Sequence, residues 1–407
     1  MNKNILSKEV QTYLREHRTD DPAVIALQRS PFEDVSASEL AQQLDGWQRC
    51  RKKIPDWTDR GVALYYPEKI HLEQCSSSET GHFKASLIKP KSRLIDLTGG
   101  FGVDSCYFAQ RAEKVVHCER QPLLSEIATH NTKMLGIENI LFHQGNGIAY
   151  LQSCRDSFDY IYSDPSRRVN GQKVFRLEDC EPNVLENQDL FFSKAQNLIT
   201  KTAPLLDISL ALRTLSQVRD VHVVSVDNDC KELVFVQQKG YAGAPNIHAV
   251  RIHHGIRQVY SFGYQEETNA RPIYGMPIGY LYEPDVALTK AGAFKSLAVR
   301  YSLNKLHVNS HLYTSEALVS DFPGKILRIE ACIPLTRFKN RNDIRKANVI
   351  AKNFPLKVDD IRKKFNIRDG GEHFLYFTTL ADGKMGVVVG KVNGVRPIQL
   401  DLEKIPD

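Results

Sequence analysis

Apolar and polar positions alternate with a different rhythm in successive parts of the chain. Over residues 1–80 the background is polar and apolar positions recur at helical spacing, which predicts helices over Lys8–Arg18 and Ser38–Arg51. Ser36, or Ser38 with Glu39 in the first turn, is the expected N-cap of the second. Ser76-Ser77-Ser78-Glu79-Thr80 opens another short helix that runs to about Ile88. No chemistry is legible in this region. From Arg93 short apolar runs alternate with helical stretches. Leu94–Leu97, Lys114–Glu119, Ile140–His143 and Phe158–Ser163 read as strands, with helices near Asp104–Ala112 and over Leu123–Leu135, the second closed by Gly136. This βαβαβ order predicts a parallel sheet with helices on both faces. Val221–Val226 and Lys231–Val236 flank Asp227-Asn228-Asp229-Cys230 and predict an antiparallel pair that closes the sheet near Gln238.

Beyond residue 240 the texture is mixed α+β. His248–His254 and Gln258–Tyr264 suggest a hairpin, and Asp285–Tyr301 a helix with Asp285 as N-cap. Asp343–Asn353 and Asp359–Phe365 suggest further helices. Phe374–Thr379 and the run from Met385 to Gly390 are strands around Ala381-Asp382-Gly383-Lys384, a strong hairpin signal. Four regions follow: 1–80, helical; 81–240, α/β; 241–325; and 326–407.

Composition narrows the class. The chain has 407 residues, 42% hydrophobic and 25% charged, which suits a folded protein of several domains. No run of about 18 apolar residues is present, so no transmembrane helix is expected. The N-terminus lacks the long apolar stretch of a signal peptide. Eight scattered cysteines form no C-x-x-C pair, which points to reduced thiols, a cytoplasmic protein and no zinc ribbon. His307 and His311 have helical metal-ligand spacing, but no acid or cysteine completes a set, so no metal is expected.

The informative stretch is Asp96-Leu97-Thr98-Gly99-Gly100-Phe101-Gly102-Val103-Asp104. A glycine-rich turn between strand and helix lets backbone approach a ligand closely, and the helix start behind it favours negative groups. The dinucleotide fingerprint G-x-G-x-x-G fails here because Ser105 stands where its third glycine would be. The stretch instead resembles the first motif of class I S-adenosylmethionine (SAM)-dependent methyltransferases, with Thr98 in place of the first glycine. Glu119 ends the second strand, where a carboxylate can accept both ribose hydroxyls. Asn146 follows the third strand, where that family usually places an acid for the adenine amine. Asp96, Thr98, Gly99, Gly100, Gly102, Glu119 and Asn146 are therefore the candidate cofactor residues.

The fourth strand ends in Ser163-Asp164-Pro165-Ser166-Arg167-Arg168. This resembles the (D/N)-P-P-(Y/F/W) motif of amino-group methyltransferases. A conjugated amine is a poor nucleophile. A carboxylate and a carbonyl that accept its two N–H groups withdraw the lone pair from the ring and aim it. Asp164 and Pro165 fit those roles. Arg167 stands where an aromatic would stack on a base, and its guanidinium can stack instead. Arg167 and Arg168 are also the expected partners that keep Asp164 charged.

These motifs, together with Tyr280–Gly292, resemble a Bacteroidetes-type family of class I SAM-dependent methyltransferases over roughly residues 60–400. The resemblance implies a Rossmann-like methyltransferase domain over 81–240, a ferredoxin-like domain over 241–325 and a THUMP-like domain over 326–407. The first motif is also similar to that of small-subunit rRNA guanine-N2 methyltransferases, which carry threonine at the position of Thr98.

Charge supports an RNA partner. Of the net +6, residues 336–368 carry +8, with eleven basic residues against three acidic, and the other 374 residues sum to −2. Lys339, Arg341, Arg345, Lys346, Lys352 and Arg362, interleaved with Phe338, Phe354 and Phe365, form a candidate RNA footprint. THUMP domains are RNA-binding modules, so the expected substrate is an exocyclic amine of an rRNA or tRNA base. Two alternatives stay open: a protein or anionic small-molecule substrate, and an RNA-binding protein with a vestigial methyltransferase domain.

Overall fold

The computed structural model describes residues 1–166, 168–169, 172–173, 177–338 and 344–392. Arg167, Lys339 and Arg341 lie outside them. The chain divides into two units, residues 1–221 with 231–244, and residues 222–230 with 245–407.

In the first unit the strands are β1 (Arg93–Asp96), β2 (Lys114–Glu119), β3 (Ile140–Gln144), β4 (Phe158–Ser163), β5 (Arg168–Val169), β6 (Gln172–Lys173) and β7 (Ala195–Thr202). They are followed by β8 (Val218–Val226) and β9 (Asp229–Gln238) at the boundary of the two units. β3, β2, β1, β4 and β7 lie side by side in that order and all run parallel. β9 pairs antiparallel with β7. Asp227 and Asn228, both left-handed, turn β8 into β9. β1 is buried from Leu94 to Asp96, and β2 from Val115 to Cys118. Such continuous burial belongs to a parallel sheet covered on both faces. Strand order reverses between β1 and β4, so their C-terminal ends flank a crevice of the kind where open α/β sheets bind ligands.

Residues 1–85 fold onto this sheet as helices. Ser36 and Glu39 form a reciprocal capping box at the start of Ala37–Lys53. Gln43 and Asn131 each exchange two side-chain bonds with the backbone of Tyr66 and Tyr65, pinning the extended segment between them.

In the second unit β10 (Asn246–His253) and β11 (Ile256–Gly263) form the expected antiparallel hairpin. A separate seven-stranded sheet contains β12 (Tyr280–Pro284), β13 (Asn304–Lys305), β14 (Tyr313–Ser315), β15 (Gly324–Pro334), β16 (Asn348–Lys352), β17 (His373–Thr379) and β18 (Met385–Val392). Its spatial order is β13-β14-β12-β15-β18-β17-β16. Successive residues of β17 and β18 serve opposite cores. Leu375, Phe377, Val387 and Val389 pack with Ile361 of the helix Val358–Phe365, while Tyr376 and Val388 pack with Leu306 and Leu312.

Three local expectations change. The helix over Asp285–Tyr301 is two, Val286–Ala291 and Lys295–Arg300, because Gly292 takes a left-handed conformation that ends the first. Asp285 does cap it, accepting from Ala287 N. Residues 344–353 hold no helix. Asn348–Lys352 is a strand that pairs parallel with β17, since Val349-Ile350 fits a pleated edge better than a helix face. His307 and His311 lie in a turn, where His311 stacks on Phe294 and contacts the buried Lys305 amine.

The three phenylalanines of the basic segment are core residues. Phe338, Phe354 and Phe365 each have ring centroids 5.3–5.5 Å from Phe377. Phe377→Ala should therefore destabilise this unit by about 3–5 kcal/mol, measurable by chemical denaturation.

Candidate active site

β1 delivers Asp96 into the crevice with its carboxyl buried. Oδ1 accepts from Thr98 N at 3.0 Å and Oδ2 from Ser105 Oγ at 2.7 Å. Burial outweighs these bonds and raises the carboxyl to about 7. Ser105 Oγ also meets His117 Nδ1 at 3.0 Å, and burial lowers that imidazole to about 3, so the ring is neutral. When Asp96 is ionised Ser105 donates to it, and the His117 proton then belongs on Nδ1.

The three glycines of the turn do different things. A Cβ on Gly99 would sit 2.1 Å from His117 Cε1, so this glycine makes room for the ring. Gly100 and Gly102 have φ of +56° and +87°, which a side chain would strain. The space above Gly100 is open: a Cβ there would meet only Thr98 O, at 3.8 Å. Phe101 is buried and tilts against Trp57 of the N-terminal region, 5.2 Å between centroids.

Glu119 ends β2 beside the turn. It accepts from Gly100 N at 2.9 Å through Oε2 and from Gln121 N at 2.7 Å through Oε1. A carboxylate offers about four acceptor sites, so both oxygens keep capacity for hydroxyls. Asn146 departs from expectation. Its carbonyl oxygen caps the helix Gly147–Ser153, accepting from Ile148 N at 2.8 Å and Ala149 N at 3.1 Å. The oxygen assigned to an adenine amine is thus engaged, and the exposed amide NH₂ is what this residue can offer a ligand.

The threonine that replaces the motif's first glycine has a role that sequence reasoning missed. Its hydroxyl accepts from Asp164 N at 2.7 Å and reaches Asp96 Oδ1 at 3.4 Å. Thr98 therefore joins the turn after β1 to the Asp-Pro segment after β4. A threonine beside a glycine-rich turn is the only sequence signal for this strut.

Asp164 is one-third exposed, and its Oδ2 accepts from Lys201 Nζ on β7 at 2.6 Å. The arginines were the expected cation here. Arg167 and the side chain of Arg168 lie outside the described residues; among those described, Lys201 is the cation on Asp164. Lys201 stays protonated: burial works against its charge, but Asp164, Glu232 and Asp104 together hold its pKa above the ordinary lysine value. Pro165 is buried, and Ser166 pairs through its backbone with Glu181.

Behind this pair lies a buried charge cluster. Lys84, fully buried, donates to both oxygens of Glu232 at 2.8 and 2.9 Å and to Ser76 Oγ at 2.9 Å, and stands 3.3 Å from Asp104 Oδ1. Asp104 Oδ2 accepts from Tyr162 Oη at 2.7 Å and Ser76 Oγ at 2.9 Å. Burial alone would raise the Asp104 carboxyl, but Lys84, Lys201 and these hydroxyls hold it below its usual value. Lys84 lies on the helix Ser78–Ala85 and Ser76 just before it, so the N-terminal region supplies part of this cluster.

Comparison with known proteins decides the family. A solved structure from Porphyromonas gingivalis W83, described as a candidate methyltransferase, is 32% identical, with 96% of this chain and 98% of that one aligned at a TM-score of 0.86. The chain belongs to this methyltransferase family. A curated relative from Mycobacterium tuberculosis, in strains CDC 1551 and H37Rv, is named an uncharacterized S-adenosylmethionine-dependent methyltransferase. It is 22% identical over 341 residues, covering 82% of this chain and 89% of the relative. Residues 280–323 match a ferredoxin-like domain family and residues 324–391 a THUMP domain-like family. This is a SAM-dependent methyltransferase with a C-terminal THUMP-like domain. No helix among the described residues is long and apolar enough to cross a membrane.

On the methyltransferase's THUMP-like domain the basic footprint is smaller than its charge count suggests. Lys352 pairs with Glu283 at 3.1 Å and Arg362 pairs with Asp369. Arg345 and Lys346 are exposed. Backbone bonds from Ala347 N to Arg368 O and from Arg368 N to Arg345 O set them beside the exposed Arg368.

Two outcomes follow for this methyltransferase. Lys84→Met strands Glu232 in the interior and should cost about 3–5 kcal/mol in urea denaturation, while the double variant Lys84→Met/Glu232→Leu should lose less. Asp96, raised from 3.8 to about 7, binds its proton more tightly when folded. Its contribution to stability is full in acid and is lost as pH rises through about 4–7. Asp96→Asn should flatten stability across that range.

Proposed function

We propose that this methyltransferase modifies an exocyclic amine of an RNA base, in rRNA or tRNA. The observation that carries the proposal is Asp164-Pro165 at the end of β4, facing the glycine turn and joined to it by the Thr98 hydroxyl. Exposed Arg345, Lys346 and Arg368 on the THUMP-like domain support the RNA partner, as backbone phosphates are what such residues bind.

The cofactor fits the residues present. Open space over Gly100, the spare acceptor capacity of Glu119 and the outward NH₂ of Asn146 suit the amino-acid, ribose and adenine parts of SAM respectively. Gly102 shapes the turn, and Asp96 with Thr98 anchors it; Gly99 serves the fold by admitting His117. Bound SAM supplies a methyl carbon activated by its sulfonium. The chain's part is alignment. Oδ1 of Asp164 accepts no hydrogen bond among the described residues, so it is available to one amine N–H, and the carbonyl of Pro165 to the other. Both acceptors pull the nitrogen lone pair out of ring conjugation. Holding it in line is worth up to about 7–11 kcal/mol of barrier. The proton that the nitrogen gives up passes to Asp164, whose partial exposure lets solvent remove it.

Asp164→Ala should abolish methyl transfer to the substrate RNA while SAM affinity, measured by calorimetry, barely changes. Retained turnover would remove Asp164 from this role. Neutralising Arg345, Lys346 and Arg368 together should weaken RNA binding and reduce the salt slope by about 2, at about 0.7 per phosphate. Binding of RNA that is absent or indifferent to salt would favour a protein or anionic small molecule as substrate.

A further inference from the structure

We propose that Lys201 is the positioning residue of the active site: by engaging Oδ2 of Asp164 it leaves Oδ1 as the single carboxylate oxygen presented to the substrate amine. This rests on the amine-acceptor role proposed for Asp164.

The geometry comes from the sheet. β4 and β7 are parallel neighbours with Tyr162 opposite Ile199 and Ser163 opposite Thr200. One step further along, Lys201 falls beside Asp164, so the two project on the same face. The 2.6 Å contact to Oδ2 is charge-assisted and short, and Thr98 Oγ1 fixes the backbone of Asp164 from the other side. Three constraints therefore hold one aspartate: its strand, a hydroxyl on its N–H, and an ammonium on one oxygen.

Lys201 also offsets buried charge, since Lys84 is one cation beside two acids, but its hydrogen bond sets it apart from a bulk counter-ion, because the acids take their own bonds elsewhere. Glu232 takes both of its bonds from Lys84, and Asp104 takes its bonds from Tyr162 and Ser76 with Lys84 alongside. Lys201 feels both acids but donates to Asp164. Lys53, another nearby cation, is committed to the carbonyls of Leu72 and Glu73.

The test has two arms. Crystal structures of the wild type and of Lys201→Met, both with the SAM analogue sinefungin, should show the Asp164 carboxylate displaced in the variant and the glycine turn unchanged. A carboxylate that stays in place overturns the proposal. In the second arm, transfer of labelled methyl groups from SAM to total RNA of a deletion strain should fall about a hundredfold in Lys201→Met. KM for SAM should stay within about twofold, and Lys201→Arg should recover most of the loss. A rise in KM for SAM without loss of turnover, or no recovery with arginine, also overturns it. If the wild type transfers nothing to RNA, the RNA substrate fails while the crystallographic arm still decides the role of Lys201.

Discussion

One hydroxyl joins the halves of this active site. The glycine turn after β1 and the Asp-Pro segment after β4 belong to strands whose connections leave in opposite directions across the sheet. The sheet ladder ties the two loops together at the strand ends, where Leu97 N donates to Tyr162 O. Thr98 extends this tie by accepting from Asp164 N while its own backbone N–H is held by the buried Asp96 carboxyl. Cofactor-side and substrate-side geometry are thereby coupled through this side chain. A glycine at this position, as in the common form of the motif, would keep the turn and lose the coupling.

The same logic explains the cluster beneath the site. Asp104, Glu232, Lys84 and Lys201 would each be costly to bury alone, and their mutual pairing offsets much of that cost. Because the pairs are drawn from the N-terminal helices, the helix after the glycine turn, and β7 and β9, they tie four separated stretches of sequence to one spot. The N-terminal helices are thus part of the enzyme's frame, with Ser76 and Lys84 reaching in and Trp57 covering Phe101.

Much of this was legible in the sequence where a residue's role is local. The glycine turn, Glu119 at a strand end, the Asp-Pro motif and the capping of Ala37–Lys53 all follow from short-range patterns. What was not legible depends on register between strands. Lys201 lies 37 positions from Asp164, and only the pairing of β4 with β7 brings them together. The basic segment misled for another reason. Its charges occupy every phase of the pattern, so a helix fitted residues 343–353 as well as the strand that is present. Its phenylalanines resembled stacking residues but close the core around Phe377. Asn146 was placed correctly at a loop but assigned its oxygen, which the following helix claims.

If the Asp164 site, served by SAM and recruited by a basic THUMP-like domain, methylates a base amine of RNA, its product is present in the cell's own RNA. Mass spectrometry of nucleosides from total RNA reads that product, comparing a deletion strain with its parent and with the strain complemented by Asp164→Ala. One N-methylated nucleoside should fall in the deletion strain and should not be restored by Asp164→Ala. Identical nucleoside profiles in the deletion strain and its parent would contradict the proposed function.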